Sequence, residues 1–320
     1  MFYTFSLLSF CLGDSPNEKR LYFNDVIIDF INVKMTFSIK PTNNCVPMFG
    51  KAEQGEWVAD YSFVFGADPQ PGMIHAKLRG GDGSEWDEEI LLVDKFVEAV
   101  NQINPEFVFL GGDITNAYPG DNLRELQLKS LSKSFKSLKR DIPILVAPGN
   151  HDIGDVPTPE SVGMYTSVFG DDYYSFWVGG VFYIVINSQY YKNDSETKEL
   201  SNKQCKWLDE QLKSASGSRV IVISHIPPFI SDPMEEDTIF NIPLHHRIPL
   251  MDKFATSGVK MVMCGHYHRN GGGVWGEQAE VEVVVTSSIG AQLGKQKPGF
   301  RLVHVGRDEI RQEYVTMRDV

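Results

Sequence analysis

Cysteine is scarce in this chain of 320 residues: Cys11, Cys45, Cys205 and Cys264 are the whole complement, and none stands in C-x-x-C spacing. That excludes a disulfide scaffold and a thiolate zinc ribbon, and free thiols in a reducing, cytoplasmic compartment are the simplest expectation. Positive charge is in deficit as well. Thirty Lys and Arg stand against 42 Asp and Glu, a formal net charge of -12, which argues against a phosphate-tracking nucleic-acid binder and against a membrane surface as partner. The apolar run Met1 to Leu12 has neither the basic flank nor the clear small-residue cleavage site of a signal peptide. There is no internal repeat and no low-complexity linker. Residues 13 to 58 also lack a sustained hydrophobic period. The expected organisation is therefore an N-terminal extension, 1–58, poorly structured or partly dispensable, ahead of one domain at 59–320, with Met35 a candidate alternative start.

What is present suffices for a sizeable core: 42% of residues are hydrophobic and 22% charged, the balance of an ordinary globular protein. From Tyr61 a βα rhythm sets in. Tyr61 to Phe65 is a compact aromatic and β-branched run, ended by Gly66-Ala67-Asp68-Pro69-Gln70-Pro71-Gly72, which forces a loop. Ser84 with Asp87 reads as a capping box, and Ile90, Val93, Val97 and Val100 follow at helical spacing until Asn104-Pro105. Phe107 to Leu110 is a second strand, Asn122 to Arg140 a second helix and Ile144 to Ala147 a third strand. Thr158-Pro159 reads as the cap and first turn of a further helix, and Gly179-Gly180 as the turn of a hairpin. Strands are expected again at Val220 to Ile223 and Val259 to Cys264. Between them lies 229–243, an acidic stretch without period, expected as a surface loop near the mouth of a site, and then a helix from about Ile248. Gly271-Gly272-Gly273 reads as a turn before closing strands at Val281 to Thr286, Phe300 to Val305 and Ile310 to Met317.

Five strand ends in succession release Asp68, Asp113, Asn150, His225, and His266 with His268. Strand C-terminal ends are where open α/β sheets place their sites. Taken singly, each residue has an ordinary explanation: a turn cap, a left-handed asparagine, a satisfied core histidine. As a set they are oxygen and imidazole donors with no thiolate, which suits Zn, Mn or Fe better than Ca. One carboxylate shared by two cations could hold them about 3.5–4 Å apart, the spacing of two-metal hydrolases. Asp113, central in order, is the candidate for it.

The blocks Asp68-Pro69-Gln70, Gly112-Asp113, Gly149-Asn150-His151-Asp152, Ser224-His225 and Gly265-His266-Tyr267-His268 resemble, in content and order, those of the calcineurin-like metallophosphoesterase superfamily, over about residues 61 to 290. More narrowly, the strings at 65–70, 149–154 and 170–181 look like the calcineurin-like phosphoesterase domain-containing proteins of animals, regarded as cytosolic serine/threonine phosphatases. The resemblance implies an α/β fold, a four-layer α/β/β/α sandwich with mixed sheets, and a phosphorylated protein as substrate. It also implies two divalent metal ions, with Mn, Fe, Zn or Mg as candidates. Carried over block by block, one ion would take Asp68, Asp113 and His268, and the other Asp113, Asn150, His225 and His266. The first block departs from the superfamily, since Gln70 stands where most members have histidine, although the narrower family shares the glutamine. An amide oxygen is a weaker donor than imidazole toward Zn or Fe, so looser binding of the first ion and a preference for Mn or Mg are expected there. His75 is a conceivable stand-in, though a loop histidine is more simply exposed.

His151 is not needed as a ligand and can protonate the leaving alkoxide, with Asp152 as the residue to orient it. Arg269 and Asn270 could reach a phosphate or form a solvated turn, and His245-His246 is expected at the surface. The second block continues Ile114-Thr115-Asn116-Ala117, without the second Asp and the Arg of the phosphoprotein phosphatases proper. Phosphoester hydrolysis therefore rests on more residues than phosphoprotein specificity does. The alternatives are a phosphodiesterase of cyclic nucleotides or small diesters, and a non-catalytic scaffold like the retromer subunit of this fold, against which His151 argues.

Overall fold

Strands buried on both faces read as continuous apolar runs rather than alternating ones, and most strands of this chain are of that kind. The structure, a computed structural model, describes the backbone of residues 20–23 and 26–29 and the whole of residues 37–277 and 280–317. Strands β1 (Arg20–Phe23) and β2 (Val26–Asp29) pair antiparallel with Arg20 opposite Asp29. They belong to a unit of their own, Met1–Lys34, distinct from Met35–Val320. The run Met1 to Leu12 and the Met35 start lie outside the described residues.

Within Met35–Val320 the described residues form two mixed sheets. One has the order β13-β12-β3-β4-β5. Its strands β3 (Tyr61–Gly66), β4 (Val108–Leu110) and β5 (Ile144–Val146) are parallel, and β12 (Gly299–Val305) and β13 (Ile310–Thr316) join antiparallel. The other has the order β10-β11-β9-β8-β7-β6. There β7 (Val181–Ile186), β8 (Arg219–Ser224), β9 (Val259–Cys264) and β11 (Val281–Val285) are parallel, with β6 (Tyr174–Val178) and β10 (Gly271–Trp275) antiparallel at the edges. The helices are α1 (Lys51–Gln54), α2 (Asp87–Ile103), α3 (Arg124–Phe135), α4 (Asn150–Ile153), α5 (Pro159–Phe169), α6 (Gln189–Lys192), α7 (Lys198–Ser214) and α8 (Leu244–Thr256). None among the described residues is long and apolar enough to cross a membrane.

The sheets meet along an aromatic seam. Phe63, Phe65, Phe107 and Phe109 of one pack with Phe176, Tyr183, Ile221 and Met261 of the other, with Phe63 stacked on Phe107 and Phe176 on Tyr183, each at 4.7 Å. Alternate residues of β7 and β8, among them Phe182, Ile184, Val220 and Val222, face the opposite way onto Leu208 and Leu212 of α7 and Leu250 and Phe254 of α8. On the far side α2 and α3 bury Val93, Phe96, Val97, Leu131 and Phe135, with Phe96 edge-on to both Phe135 and Phe300. This is the expected helix, sheet, sheet, helix sandwich. Burying each large ring contributes about 1.5–3 kcal/mol, so the seam holds the strand ends of both sheets in register.

Three local readings change. Helix α2 opens at Asp87 without the capping box: Trp86 precedes it with no side-chain cap, and Asp87, Glu88 and Glu89 instead complement the positive helix end. Gly271 to Trp275 is strand β10 and not a turn. A Cβ on Gly272, at φ +120, would lie 1.9 Å from the Val283 carbonyl, so the glycine permits close backbone approach rather than a reversal. Finally, part of the stretch read as an extension belongs to the packed domain, because Val46 and Phe49 are buried in the seam and the Gln54 carbonyl accepts from Gly180 N at 2.8 Å. The expected cap of α5 does form, Thr158 Oγ1 accepting from Ser161 N at 3.1 Å.

Candidate metal centre

A left-handed backbone costs about 1–3 kcal/mol for a residue that carries a Cβ. Among the described residues eight non-glycine residues adopt a positive φ. Three are asparagines, Asn43, Asn44 and Asn104; the other five are Asp68, Gln70, Asp113, His266 and His268. Turn-forming asparagine accounts for the first three. The rest gather where β3, β4 and β9 end, so strain concentrates on the candidate ligands. Glycine makes room for them: a Cβ on Gly149 would fall 2.2 Å from Asp113 Oδ1, and one on Gly112 would fall 2.5 Å from His225 Nδ1.

Each of the three strand-end histidines meets a backbone carbonyl. His225 Nδ1 lies 2.7 Å from Gly111 O, His266 Nε2 lies 3.0 Å from Ile239 O, and His268 Nδ1 meets Ala291 O. A carbonyl can only accept, so these nitrogens carry hydrogen, and in the neutral rings the opposite nitrogens are lone pairs. Two of those lone pairs face oxygen: His225 Nε2 is 3.3 Å from Asp113 Oδ2 and 3.2 Å from Asn150 Oδ1, and His268 Nε2 is 3.5 Å from Asp68 Oδ1. Asp113, His225 and His266 bring one ligand atom each within 4.8 Å of one another, and so do Asp68, Asp113 and His268. Asp113 belongs to both groups.

Acceptors converging on acceptors need positive charge between them. Without a cation, a proton supplies it. Burial works against a charged His225, but Asp113 and Asp68 outweigh it and hold its pKa at about 9. Asp113 stays well below the usual carboxylate range, since His225 and His151 overcome the effect of burial, whereas burial pushes Asp68 up. Burial lowers His266 to about 3 and His268 to about 4, leaving both neutral, with a lone pair each. Carboxylates, neutral imidazoles and an amide oxygen fit a divalent cation of the borderline class.

A family model described as calcineurin-like phosphoesterase matches residues 74–270. The chain belongs to the calcineurin-like phosphoesterase family. Serine/threonine-protein phosphatase CPPED1 of Homo sapiens is 41% identical over 281 residues, covering 85% of this chain and 88% of its own length. CPPED1 of Danio rerio is 41% identical over 271 residues, covering 82% and 86%. Among solved structures, a dimetal phosphatase from Danio rerio superposes with a TM-score of 0.60 at 15% identity, covering 81% of this chain and 97% of its own. Purple acid phosphatase PPD1 from yellow lupin gives 0.59 at 15%, covering 83% and 53%. At such identity the likeness is one of fold, the two-sheet sandwich. Membership of the calcineurin-like phosphoesterase family makes this chain a metal-dependent phosphoester hydrolase.

Further residues set the geometry of the candidate centre in this phosphoesterase. Asn150 opens α4, and its Nδ2 donates to Asp155 Oδ1 at 2.8 Å, which aims its oxygen at His225. Tyr118 donates to the other Asp155 oxygen at 3.1 Å. Gln70 Nε2 donates to Asp113 Oδ2 at 3.1 Å, while Gln70 Oε1 is buried without a partner, the kind of orphaned oxygen a nearby cation would satisfy. His151 lies in neither ligand group. Its backbone N donates to Asp113 Oδ1 at 2.8 Å, its Nδ1 meets Asn116 O at 2.5 Å, and its ring lies 4.3 Å from that of Tyr118.

Asp152 does not orient His151. Its oxygens accept from Ile114 N at 3.1 Å and Gly149 N at 2.8 Å, because adjacent residues at a helix start point apart and Asp152 turns inward to brace two strand-end loops. Burial raises its pKa to about 6 even with Arg124 beside it. The partner of the His151 ring is the Asn116 carbonyl, and Arg124 secures the chain beneath, donating to His151 O at 2.9 Å and Asp152 O at 3.0 Å. The remaining candidates lie elsewhere. His75 accepts from Glu85 N at 3.2 Å. Arg269 donates to Leu293 O at 2.6 Å, and Asn270 accepts from Ser287 N and Arg301. The rings of His245 and His246 lie 4.2 Å apart, tilted to one another, on α8. Asp113, Asn150, His151, His266 and His268 share one cavity of about 560 Å³.

Proposed function

We propose that this phosphoesterase is a protein serine/threonine phosphatase that holds two divalent cations, one on Asp68, Asp113 and His268, the other on Asp113, Asn150, His225 and His266. The observation that carries the reading is a set of inward lone pairs closed only by positive charge, with a non-ligand histidine on the same cavity wall. The phosphatases 41% identical to it support a phosphoprotein substrate. Bound there, the cations would supply Lewis acidity, offsetting charge on phosphoryl oxygens and lowering the pKa of water. The chain's own groups move the other proton. With Nδ1–H held by Asn116 O, the transferable proton of the His151 imidazolium sits on Nε2. As water adds to phosphorus and the P–O bond breaks, that proton goes to the seryl or threonyl oxygen, a contribution of about 10²–10⁴ in rate.

The test is His151→Ala, assayed on a phosphoserine peptide and on an activated aryl phosphate whose leaving group needs no proton. Turnover of the peptide should fall by about 10²–10⁴ and that of the aryl ester far less. Equal losses would end the acid role, and cyclic nucleotides cleaved faster than any phosphopeptide would turn the assignment to a phosphodiesterase.

A further inference from the structure

Ile239 is 72% exposed at the mouth of the site, yet the loop that carries it, residues 229–243, has no freedom to tuck it away. Glu235 accepts from the backbone N of Ile230 at 2.7 Å, of Ser231 at 3.0 Å and of Asp232 at 3.2 Å, and from Asn241 Nδ2 at 2.8 Å. The buried Arg247 donates to the carbonyls of Pro233 and Glu235 at 2.9 Å and of Ile242 at 3.1 Å. Lys192 donates to the carbonyls of Thr238 and Asn241, and the Ile239 carbonyl is fixed on His266. An acid of this loop is therefore an internal staple, and what the tip shows to the cavity is apolar. Ile239 and Phe240 line the same space as Asp113 and His151, with Ile226 and the 44% exposed Val156 also on its wall. Phe240 packs edge-on against Tyr267 at 5.2 Å.

A rigidly held, exposed apolar side chain beside a polar site stands in water at a standing hydrophobic cost, the mark of a contact surface. Continuity with the catalytic cavity sets the occupant. A cavity of about 560 Å³ exceeds what one phosphoryl group fills, and in an extended chain the next residues lie about 3.3 Å apart along the strand. Resting on the phosphatase reading above, we infer that Ile239 and Phe240 form a subsite for an apolar side chain one or two residues from the phosphorylated serine or threonine.

The test uses the full chain with Mn and phosphoserine peptides that carry Leu or Ser, in turn, at each of the two positions on either side of the phosphoserine. An aryl phosphate reports the chemistry alone. At one or more positions kcat/KM for the Leu peptide should exceed that for the Ser peptide about tenfold. In Ile239→Ser this ratio should fall toward one. Because the ratio is taken within one variant, any effect on His266 cancels. Met234→Ser, at a position on the same loop that is 60% exposed and outside the cavity, should keep the wild-type ratio. Wild-type ratios below about twofold at every position, or an unchanged ratio in Ile239→Ser, would overturn the subsite, as would loss of the ratio in Met234→Ser, which would reveal loop integrity rather than contact. If phosphopeptides are cleaved without preference, the subsite alone falls. If the aryl ester is cleaved and no phosphopeptide is, the phosphatase reading falls with it.

Discussion

The two sheets contribute different chemistry to one cage. The five-stranded sheet delivers oxygen: Asp68 after β3, Asp113 after β4 and Asn150 after β5. The six-stranded sheet delivers nitrogen: His225 after β8, and His266 and His268 after β9. The halves are preset in opposite ways. The candidate oxygen ligands are braced by donors, His266 N on Asp68 at 3.1 Å and His151 N and Gln70 Nε2 on Asp113. Imidazoles are braced by acceptors, the carbonyls of Gly111, Ile239 and Ala291. Two of these braces cross between the sheets, His266 onto Asp68 and Gly111 onto His225. Neither sheet makes a site alone, so the aromatic seam that joins them is a requirement of the chemistry as well as of stability.

The two halves are most vulnerable at the residue both groups share. Asp113→Asn keeps the shape and removes the charge, and turnover should fall more than about 10³-fold, beyond the ~10²–10³ that loss of one oriented donor costs. Metal analysis of the purified variant should show the loss in parallel. Most of the turnover surviving would mean that the halves do not depend on a common carboxylate. Next in size is the contest between proton and metal at His225. Its pKa of about 9 in the metal-free protein lies above the ordinary 6.5. The proton's stabilising effect is therefore complete below pH 6.5 and is lost as pH rises through 9, a change of about 3 kcal/mol at most. A cation takes the same lone pair and binds better as the proton leaves, so the metal-loaded protein should show the opposite slope. Melting curves with chelator and with Mn, from about pH 6 to 10, should diverge; parallel curves would remove His225 from the cation.

Asp155 sharpens the oxygen half. Asp155→Ala frees the Asn150 amide to turn its NH2 toward His225, and metal affinity should drop about 10–100-fold in a direct titration; unchanged affinity would show that Asn150 needs no such partner. Little in the sequence singled out Asp155, whose one trace is its place just past the Gly149 to Gly154 block. Arg124 was silent, Asn116 stood only as a continuation of the second block and Ile239 only within the stretch expected at the mouth of a site, for one reason: their contacts join residues distant in sequence, as with Ile239 and His266, 27 positions apart. The candidate ligands were legible because a short apolar strand released into Gly-Asp or Gly-His is a local signal. The layers were legible through the resemblance those blocks carry, and the strands without alternation, covered on both faces, agree with it. Reading failed where a local signal has two meanings. Three glycines can reverse a chain or let two strands approach, and Asp152 beside His151 says nothing about which way either points.

The finest probe is Gln70, which touches the oxygen half as a donor while its own oxygen stays without a partner. Its Nε2 lies 3.1 Å from Asp113 Oδ2, and Oε1 is buried and unpaired. An imidazole in its place would be the stronger ligand toward Zn or Fe, yet a nitrogen turned to a metal no longer donates to Asp113. The two effects oppose one another in affinity and agree in selectivity. The backbone term cancels, since φ +30 at this position strains histidine and glutamine alike. Gln70→His should therefore change overall affinity by no more than about tenfold while moving preference from Mn or Mg toward Zn or Fe. Competition of Mn against Zn on the two proteins reads that shift, and an unchanged preference would mean that the amide serves only to hold the shared carboxylate.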